Sequence, residues 1–355
     1  MLSNINRLSL RGKQIQLPVF LPDATLGVVR SLDKTDLKNC GVKAVVVNTF
    51  HLLINPGVEK LKQFGGIAKF MNFDGLVVSD SGGFQIMSLL HQGKIKGKIT
   101  PDGLKFTWRL KGENKTMLFS PELSIQTQFA INSDIMVALD YFTDPKANNS
   151  QQKFSVDLTL EWAKRSKQEF ARQIKKRKLS DKNRPWLMGV VQGGTDLKLR
   201  KACAQALVKM DFDLYGYGGW PMDKKGKFDQ KLFENNAKLT PDSKPRFALG
   251  VGKPEDIALG RKYGYQFFDC VLPTRDARHG RLYLALKNHK TSTLNIGQGK
   301  YAHSQKPLDA KCQCLTCQNY SRAYLHHLYR IKETLYYRLA TIHNLYFYQS
   351  LLKRL

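Results

Sequence analysis

Three cysteines near the C-terminus have the spacing of a metal site. Cys312, Cys314 and Cys317 lie within one short segment, and as thiolates they can converge on a single Zn²⁺. Zinc favours four soft or borderline ligands in a tetrahedron, so a fourth ligand is expected. Histidines follow at positions 326, 327 and 343. The alternative is a set of ordinary buried thiols, but clusters this dense are uncommon outside metal sites and disulfide frameworks.

Three aspartates, Asp80, Asp140 and Asp269, have side chains that can do chemistry on a glycosidic bond. Two carboxylates that flank a glycosidic carbon can divide the work, one attacking the carbon and the other moving a proton. A third can accept hydrogen bonds from the donor edge of a guanine-like base. The residue types alone leave a carboxylate metal site open as a nearly equal alternative.

Eight short apolar runs are predicted to be the strands that position these residues. Most runs are continuous rather than alternating, which is typical of parallel strands buried on both faces. Between them, segments such as Leu158–Ile174 and Leu197–Met210 have the apolar spacing of amphipathic helices. The pattern predicts an α/β fold, a (β/α)8 TIM-like barrel with insertions, one of them between the third and fourth strands. The predicted strands are Leu17–Phe20, Ala44–Val47, Leu76–Ser79, Ile135–Leu139, Leu187–Val191, Leu214–Tyr217, Arg246–Leu249 and Gln266–Phe268.

Polar residues and glycines follow most of these strands directly. Asp80-Ser-Gly-Gly-Phe-Gln85 follows the third strand, Asp140 follows the fourth, and Asp269 lies at the end of the eighth. Gln192-Gly-Gly194 follows the fifth strand, Gly218-Gly219 the sixth and Gly250-Val-Gly-Lys253 the seventh. In a barrel these positions gather on the C-terminal rim, where active sites are built. Glycines there let backbone N–H groups approach a ligand. One glycine pair alone would be read as a plain turn, but four turns interleaved with three aspartates predict a binding site.

The composition points to a polyanionic partner. The chain has 355 residues, with 57 Lys plus Arg against 29 Asp plus Glu, a formal net charge of +28. The charge is spread over runs such as Lys175–Lys178, Lys224-Lys225 and the 275–290 segment. Biased codon usage or a solvated face explains single runs, but an excess of this size creates a field that attracts nucleic acid. With the cysteine cluster, it predicts nucleic-acid binding.

Targeting and redox features favour the cytoplasm. No apolar run reaches the roughly 18 residues that a membrane span needs, and the N-terminus lacks the apolar core of a secretory signal. Its first 22 residues are basic and only weakly resemble a transit peptide. The three cysteines outside the cluster, Cys40, Cys203 and Cys270, are scattered along the chain. That distribution suits a reducing compartment.

Several long motifs in order give the chain a family resemblance. It resembles the bacterial tRNA-guanine transglycosylases (queuine tRNA-ribosyltransferases) over nearly its whole length. The resemblance implies a (β/α)8 barrel over residues 1–300 and a helical zinc-binding subdomain over residues 301–355. The motifs are Asn48-Thr-Phe-His-Leu52, Ser79-Asp-Ser-Gly-Gly-Phe-Gln85, Gly250-Val-Gly-Lys-Pro-Glu-Asp256, Phe268-Asp-Cys-Val-Leu-Pro-Thr-Arg275, Cys312-Gln-Cys-Leu-Thr-Cys317 and Ser321-Arg-Ala-Tyr-Leu-His-His327.

The resemblance also implies a mechanism. Asp269 would attack the ribose of a guanosine at the anticodon wobble position in tRNAs with GUN anticodons, expel guanine and form a covalent intermediate. Asp80 would be the general acid and base that helps guanine leave and then deprotonates an incoming 7-deazaguanine. Two displacements give net retention, as in retaining glycosidases. No nucleotide cofactor is expected, because one glycosidic bond replaces another.

Further site residues follow from the same motifs. Asp140 would read the Watson–Crick edge of the base, and Gln192 and the Gly219 backbone would read its O6 atom. Phe84 and Leu249 would pack on the two faces of the base. Ser81, Gly82 and Gly83 would form part of the rim. His343 would be the fourth zinc ligand, while His326 and His327 would be structural. The family's members are commonly homodimers, so a homodimer is expected.

The expected RNA contacts are Gly250, Val251, Gly252, Lys253, Pro254, Glu255, Asp256, Thr274, Arg275, Asp276, Ala277 and Arg278, with Arg275 and Arg278 as the best candidates for uridine and phosphate contacts.

The chain departs from the bacterial pattern where the 7-substituent of the base should lie. Trp220-Pro-Met-Asp223 replaces small aliphatic residues and a glutamate, and Tyr141-Phe142 replaces an acidic residue and a cysteine. We therefore expect the incoming base to be queuine, in place of or beside 7-aminomethyl-7-deazaguanine. Relatives usually extend further past the last zinc ligand, so some C-terminal tRNA contacts would be missing or replaced by lysines.

Three alternative functions stay open at this stage. The first is a non-catalytic tRNA-binding subunit, against which the three retained aspartates argue. The second is a relative that acts on another nucleic-acid site, the tRNA D-loop or DNA. The third is a plain basic RNA-binding module, which would not need three aspartates on the rim.

Overall fold

The computed structural model describes residues 5–110, 113–144, 147–223, 226–285 and 291–354, with the side chains of residues 109 and 110 left out. Lys224, Lys225, residues 286–290 of the 275–290 charge run and Leu355 therefore lie outside the described residues. The strands in chain order are β1 (Arg7–Leu10), β2 (Lys13–Gln16), β3 (Val19–Pro22), β4 (Ala44–Val47), β5 (Leu76–Ser79), β6 (Lys96–Thr100), β7 (Gly103–Leu110), β8 (Glu113–Phe119), β9 (Ile135–Val137), β10 (Trp186–Val191), β11 (Leu214–Tyr217), β12 (Arg246–Ala248), β13 (Phe267–Cys270), β14 (Arg281–Ala285) and β15 (Thr291–Asn295).

Eight parallel strands form the barrel that the sequence predicts. Their order is β3-β13-β12-β11-β10-β9-β5-β4. The ends meet just beyond β3, where Asp23 forms a parallel bridge with Val46 and the Ala24 N–H donates to the Val46 carbonyl at 2.7 Å. All eight predicted strands are confirmed within a few residues at their ends. The antiparallel β1–β2 hairpin packs Leu8, Leu10 and Ile15 into the same apolar cluster as the barrel interior, and so covers its N-terminal end.

Helices cover the outside of the barrel. α7 contains the predicted helix over residues 158–174 and begins with a capping box between Asn148 and Gln151. α8 matches the predicted helix over residues 197–210 to within one residue at its end. The helices are α1 (Lys34–Asn39), α2 (Thr49–Leu52), α3 (Val58–Gln63), α4 (Ile67–Phe70), α5 (Gly83–His91), α6 (Pro121–Ile131), α7 (Asn149–Lys176), α8 (Leu197–Lys209), α9 (Gln230–Ala237), α10 (Pro254–Lys262), α11 (Leu272–Arg278), α12 (Leu315–Asn319), α13 (Arg322–Arg330) and α14 (Thr334–Arg354).

The insertion predicted between the third and fourth barrel strands is confirmed. It is a three-stranded antiparallel sheet of β6, β7 and β8. Its apolar face, with Leu104, Phe106 and Phe119, packs on α5 and on the start of α7 in one buried cluster. The sequence did not predict these strands. The sheet stands beside the turn after β5, where Asp80 lies.

The C-terminal helices pack against the barrel rather than standing apart from it. α14 is buried along most of its length and shares one hydrophobic cluster with the barrel's outer layer. Gln349 donates to the Phe20 carbonyl of β3 at 3.0 Å, and the Tyr348 hydroxyl donates to the Gly252 carbonyl at 2.7 Å. The boundary between residues 1–300 and 301–355 stays a prediction. None of the helices in the described ranges is long and apolar enough to cross a membrane.

Candidate active site

The side chains at the C-terminal mouth of the barrel follow from strand alternation. Side chains alternate along a strand, so a residue two positions beyond an inward-facing one points into the same interior. Leu21, Val46, Val78, Val190 and Phe267 belong to the apolar interior cluster. The residues two positions later form the next layer, at the mouth: Asp23, Asn48, Asp80, Gln192 and Asp269.

Asp80 is held by three donors from neighbouring turns. The Asn48 side-chain amide donates to Oδ2 at 2.6 Å, and the backbone N–H groups of Thr49 and Gly82 donate to Oδ1 at 2.8 and 3.0 Å. Burial raises the pKa of Asp80 to about 7, against the opposing effect of the Thr49 and Gly82 hydrogen bonds and with a further increase from the charges of Asp269 and Asp23. The Asp80 carboxyl is thus held in one orientation and is partly protonated near neutral pH.

Asp269 has one donor and one free oxygen. The Gly250 N–H donates to its Oδ1 at 3.0 Å, and within the described residues no donor reaches Oδ2. Burial raises the pKa of Asp269 to about 7; the Gly250 hydrogen bond opposes the shift and the charge of Asp23 adds to it. Gly250 has a φ of +71°, a conformation that favours glycine and aims its N–H at the carboxyl. An oriented carboxylate with an unoccupied oxygen can act as a nucleophile.

Asp140 and Gln192 form a polar pair on the opposite wall. The Gln192 amide donates to Asp140 Oδ2 at 2.7 Å, and the Ser81 hydroxyl lies 3.4 Å from Oδ1. Burial raises the pKa of Asp140 to about 6, and both hydrogen bonds oppose the shift. Gln192 Oε1 is buried and has no hydrogen-bond partner among the described residues. Buried polar atoms normally find a partner, so this oxygen marks a place for a ligand donor or a water.

Glycines let the backbone close around this pair. Gly219 has a φ of +82°, and a Cβ on Gly218 would come 2.6 Å from the Gln192 amide. A Cβ on Gly83 would come 2.6 Å from Leu139, while Gly82 has a φ of +80° at the start of α5. At Gly83 and Gly218 a Cβ would displace a neighbour, whereas at Gly82 and Gly219 the positive φ favours glycine. The turns predicted from the sequence form the walls of the mouth.

Aromatic side chains line the rim outside the polar pair. Phe84 is 45 % exposed, and its ring is 5.0 Å from that of Phe142, edge to face. Phe142 is in turn 6.3 Å from Trp220, which is 55 % exposed. Leu249 is half-buried at the barrel interior. Phe84 and Leu249 are thus both accessible at the mouth, and the base sandwich between them stays a prediction.

The predicted RNA contacts differ in accessibility. Lys253, Glu255 and Arg275 are exposed, Gly250 is exposed, and Arg278 is half-buried. Arg278 donates to the Thr274 carbonyl at 2.9 Å. Burial lowers the pKa of the Arg278 guanidinium, and the positive charge of Arg30 lowers it further. Direct contact with RNA stays a prediction for every one of these residues, and the buried ones lie in the turn after β12 or on buried positions of α10 and α11. These buried residues are Val251, Gly252, Pro254, Asp256, Thr274, Asp276 and Ala277.

The cysteine cluster and His343 come together beneath α14. Nδ1 of His343 lies 3.8, 3.6 and 3.3 Å from the Sγ atoms of Cys312, Cys314 and Cys317. A tetrahedral zinc ion, with bonds of about 2.3 Å to sulfur and 2.0 Å to nitrogen, would separate these atoms by roughly 3.5 Å. His343 Nε2 lies 2.7 Å from the Tyr283 carbonyl, which fixes the tautomer that leaves Nδ1 free to bind. The four residues could therefore hold a metal ion.

The other two histidines do not join the cluster. His326 Nδ1 lies 2.7 Å from the Ile296 carbonyl, and both His326 and His327 are on α13. The cluster found among the described residues is formed by Cys312, Cys314, Cys317 and His343 alone.

Two residues of the mouth, Asp23 and Asn48, were missed as members of the site. Asn48 appears in the sequence only as part of a motif, and Asp23 belongs to none of the motifs. A signal was present for Asn48, which directly follows the second predicted strand, two positions after the inward-facing Val46. Asp23 lies three residues past the end of the first predicted strand, so two further steps of alternation from Val19 are needed to reach it.

Comparisons with known proteins match nearly the whole chain to one family. A family model described as queuine tRNA-ribosyltransferase matches residues 3–355. A queuine tRNA-ribosyltransferase of Thermoanaerobacter pseudethanolicus is 40 % identical over 341 residues, which cover 96 % of this chain and 86 % of the relative. Those of Idiomarina loihiensis and Mannheimia succiniciproducens are each 38 % identical, over 95 % and 96 % of this chain and 85 % of each relative.

The raised pKa of Asp269 predicts how stability depends on pH. The folded carboxyl keeps its proton up to about pH 7, whereas the unfolded one loses it near pH 4, so its contribution to stability falls as pH rises between these values. Asp269→Asn keeps an acceptor for the Gly250 N–H and removes the loss of stability that comes from ionising a buried carboxyl. At about 1.4 kcal/mol per pKa unit, the variant should gain up to roughly 4 kcal/mol over wild type at pH 8 and nothing at pH 4. Urea unfolding at both pH values measures this; an equal difference at both would contradict it.

The cysteine cluster predicts that a bound metal stabilises the fold. Cys314→Ser should lower the bound metal below one ion per chain and the melting temperature together, because metal binding at such sites contributes roughly 10–16 kcal/mol in small zinc peptides. Metal analysis and thermal unfolding measure both. Cys203→Ser is the control, since Cys203 is a buried free thiol that is not part of the cluster. Unchanged melting after exhaustive chelation would contradict the ligand assignment.

Proposed function

The chain belongs to the queuine tRNA-ribosyltransferase family, and from this premise we propose that it exchanges guanine at the wobble position of tRNAs with GUN anticodons for a 7-deazaguanine base. It is then a pentosyltransferase, a tRNA-guanine transglycosylase of queuosine modification. The observation that carries the proposal is the pair Asp80 and Asp269: both open to the barrel mouth and both have a pKa of about 7. At neutral pH such a pair can hold one proton and one negative charge together.

The first displacement uses the pair in that state. Asp269 Oδ2, which has no donor from the described residues, attacks C1′ of the ribose and forms an ester-like bond while the bond from C1′ to guanine N9 breaks. Protonated Asp80 delivers its proton to the leaving guanine. The negative charge of Asp269 raises the pKa of Asp80, so the nucleophile is ionised while the acid keeps its proton.

The second displacement reverses these roles. Ionised Asp80 removes the N9 proton of the incoming base, N9 attacks C1′, and the bond to Asp269 breaks. Asp269 leaves as a carboxylate and Asp80 is protonated again, so the site is ready for another cycle. Each step inverts C1′, and the two together retain its configuration. No nucleotide cofactor takes part.

The polar pair supports recognition of a guanine-like base. The Asp140 carboxylate can accept from the N1–H and the amino group of such a base, and the second hydrogen of the Gln192 amide and the Gly219 N–H can donate to O6. Ser81, Gly82 and Gly83 shape the adjoining turn, and Phe84 and Leu249 lie at the mouth to pack on the base faces. The target nucleotide must leave the stack, which costs less in an anticodon loop than in a duplex.

The exposed cations beside the mouth support tRNA binding. Lys253 and Arg275 are exposed beside the residues that follow β12 and β13. With Arg278 they can contact the phosphates and loop bases around the target. Buried neighbours such as Thr274 and Asp276 hold this segment: Asp276 accepts from the Tyr283 hydroxyl at 2.6 Å. The net charge of +28 attracts the tRNA from a distance.

The metal is proposed to be a structural Zn²⁺, one per subunit. Four protein ligands from the Cys₃His set leave no open position for a substrate. The ion would fix the segment around Cys312–Cys317 to α14. We propose that residues 1–300 form the catalytic barrel and that residues 301–355 form a zinc-binding subdomain packed on it. We further propose that the enzyme is a homodimer and is cytoplasmic. Exposed Tyr324 and Ile331, near this segment, are candidates for the subunit contact.

Two other functions stay as alternatives. A non-catalytic tRNA-binding subunit would not need a buried carboxyl pair with raised pKa values, which carries a cost in stability. A 7-deazaguanine transglycosylase acting on another nucleic-acid site would use the same chemistry and differ only in what the exposed segment after β13 recognises. Guanine exchange distinguishes the proposed enzyme from a non-catalytic subunit. The use of tRNA with a GUN anticodon as substrate distinguishes it from an enzyme that acts on another nucleic-acid site.

The proposed nucleophile predicts the result of a base-exchange experiment. Wild type should incorporate labelled guanine into unmodified tRNA with a GUN anticodon, and Asp269→Asn should do so at least about a thousandfold more slowly. Guanine is the leaving group whichever base is preferred. The control is Asp74→Asn, which removes an exposed carboxylate (83 % exposed) just before β5, at the other end of the barrel.

Two results would contradict the proposal in different ways. Incorporation by Asp269→Asn at the wild-type rate would show that the nucleophile is another group. No incorporation by wild type, with tRNA still bound, would favour the non-catalytic subunit or a different nucleic-acid target.

The aromatic rim predicts the preference for the incoming base. Phe142 and Trp220 present an apolar surface where the 7-substituent should lie, so we expect queuine to compete at least equally with 7-aminomethyl-7-deazaguanine. Trp220→Leu should shift the ratio of kcat/KM for the two bases towards the smaller one, whereas the exposed Phe64→Leu should leave it unchanged. A strong wild-type preference for the aminomethyl base would refute this expectation.

A further inference from the structure

Asp23 is a further carboxylate at the barrel mouth, and the chemistry proposed above leaves it without a role. It lies just beyond β3, two positions after the inward-facing Leu21, and forms a parallel bridge with Val46. Its side chain is half-buried. By strand alternation it belongs to the same layer of side chains as Asp80 and Asp269.

The carboxylate of Asp23 is fixed at one oxygen and open at the other. The Thr25 N–H donates to Oδ1 at 3.2 Å, and the Thr25 hydroxyl donates to the same oxygen. Within the parts of the chain that the structure describes, no donor reaches Oδ2. An oriented, half-buried carboxylate with a free oxygen can accept a hydrogen bond from a ligand.

The order of strands shows which part of a nucleotide would lie there. Asp23 follows β3, which stands between β13, the strand of Asp269, and β4, which Asn48 follows. The groups proposed to hold the base, Asp140, Gln192 and Gly219, follow β9, β10 and β11 on the opposite arc of the barrel. A nucleotide with C1′ at Asp269 and its base on the β9–β11 side must place its sugar towards β3 and β4.

That sugar has one free hydroxyl. Inside an RNA strand the 3′ and 5′ oxygens are esterified, so only the 2′-hydroxyl can donate, and it stands on the carbon next to C1′. We propose that Asp23 accepts a hydrogen bond from the 2′-hydroxyl of the nucleotide that Asp269 attacks, which makes the site selective for RNA over DNA. This inference rests on the proposed function.

The electrostatics of the mouth agree with a role in substrate contact. Burial is the largest cause of the raised pKa values of Asp80 and Asp269, and the negative charge of Asp23 raises both values further. It therefore makes Asp269 harder to ionise, which is unfavourable for an attacking carboxylate. A hydrogen bond to the sugar that strengthens as positive charge develops at C1′ offsets this effect, since contacts of this kind contribute to glycosidic transition states.

The test compares two anticodon stem-loops that differ only in a ribose or a 2′-deoxyribose at the target guanosine. For each, kcat/KM of labelled-guanine exchange is measured with wild type, Asp23→Ala and Asp23→Asn. Asp23→Asn keeps the shape and an acceptor for Thr25, so it covers the case in which the alanine variant fails to fold; thermal unfolding checks both. Asp74→Asn is the matched control, because it removes one negative charge at the other end of the barrel.

Wild type and Asp74→Asn should prefer the ribose substrate by a common factor, and Asp23→Ala should lower that factor by about 10- to 100-fold, the range of one hydrogen bond to a charged group. Activity on the deoxyribose substrate should change little. If Asp23→Ala and Asp23→Asn slow both substrates equally, the inference is overturned while the proposed function stands. If wild type exchanges guanine into neither substrate, the proposed function fails and the inference fails with it.

Discussion

The desolvation of carboxyl groups at the barrel mouth is the constraint on which the rest of the site depends. Burial favours the neutral form of a carboxyl and so raises its pKa, to about 7 for Asp80 and Asp269 and about 6 for Asp140. Left alone, such groups would stay protonated at neutral pH and could not attack a carbon. The N–H groups of Thr49, Gly82 and Gly250 oppose the shift, and each comes from a turn that follows a barrel strand. The closed barrel therefore supplies both the burial and the donors that balance it.

The C-terminal helices connect the metal cluster to this balance. α14 provides His343 to the cysteine cluster, and its Tyr348 donates to the carbonyl of Gly252, two residues beyond the Gly250 N–H that orients Asp269. Tyr336, on the same helix, donates to the Ala277 carbonyl in α11, the helix of Arg275 and Arg278. A metal ion bound at the cysteine cluster would therefore hold the helix that contacts both the turn of Gly250 and the α11 segment proposed to contact RNA.

The charge of the chain and the charge of the mouth have opposite signs. The protein carries a net charge of +28, which suits a polyanion, but the barrel mouth, the proposed site for a nucleotide, contains Asp23, Asp80, Asp140 and Asp269. The raised pKa values of Asp80, Asp140 and Asp269 reduce this conflict, because these three carboxyls are partly protonated near neutral pH and carry less negative charge than their number implies. In the proposed function, exposed cations outside the mouth such as Lys253 and Arg275 contact the phosphates, while the carboxyls contact the sugar and the base.

The sequence by itself determined the eight strands, the rim on which Asp80, Asp140 and Asp269 lie, and the cysteine cluster, because hydrophobic runs and local spacing depend on neighbours in the chain. His343 came only from the family resemblance, since 26 positions separate it from Cys317 and nothing local connects them. The tertiary structure decided the strands β6, β7 and β8, and it placed Asp23 and Asn48 in the same layer of side chains as Asp269. Which side chains share a layer depends on barrel closure, and closure pairs strands that are distant in sequence: β3 with β13, and Asp23 with Val46. The pKa values were decided there too, since desolvation is a property of the packed mouth and of no single segment.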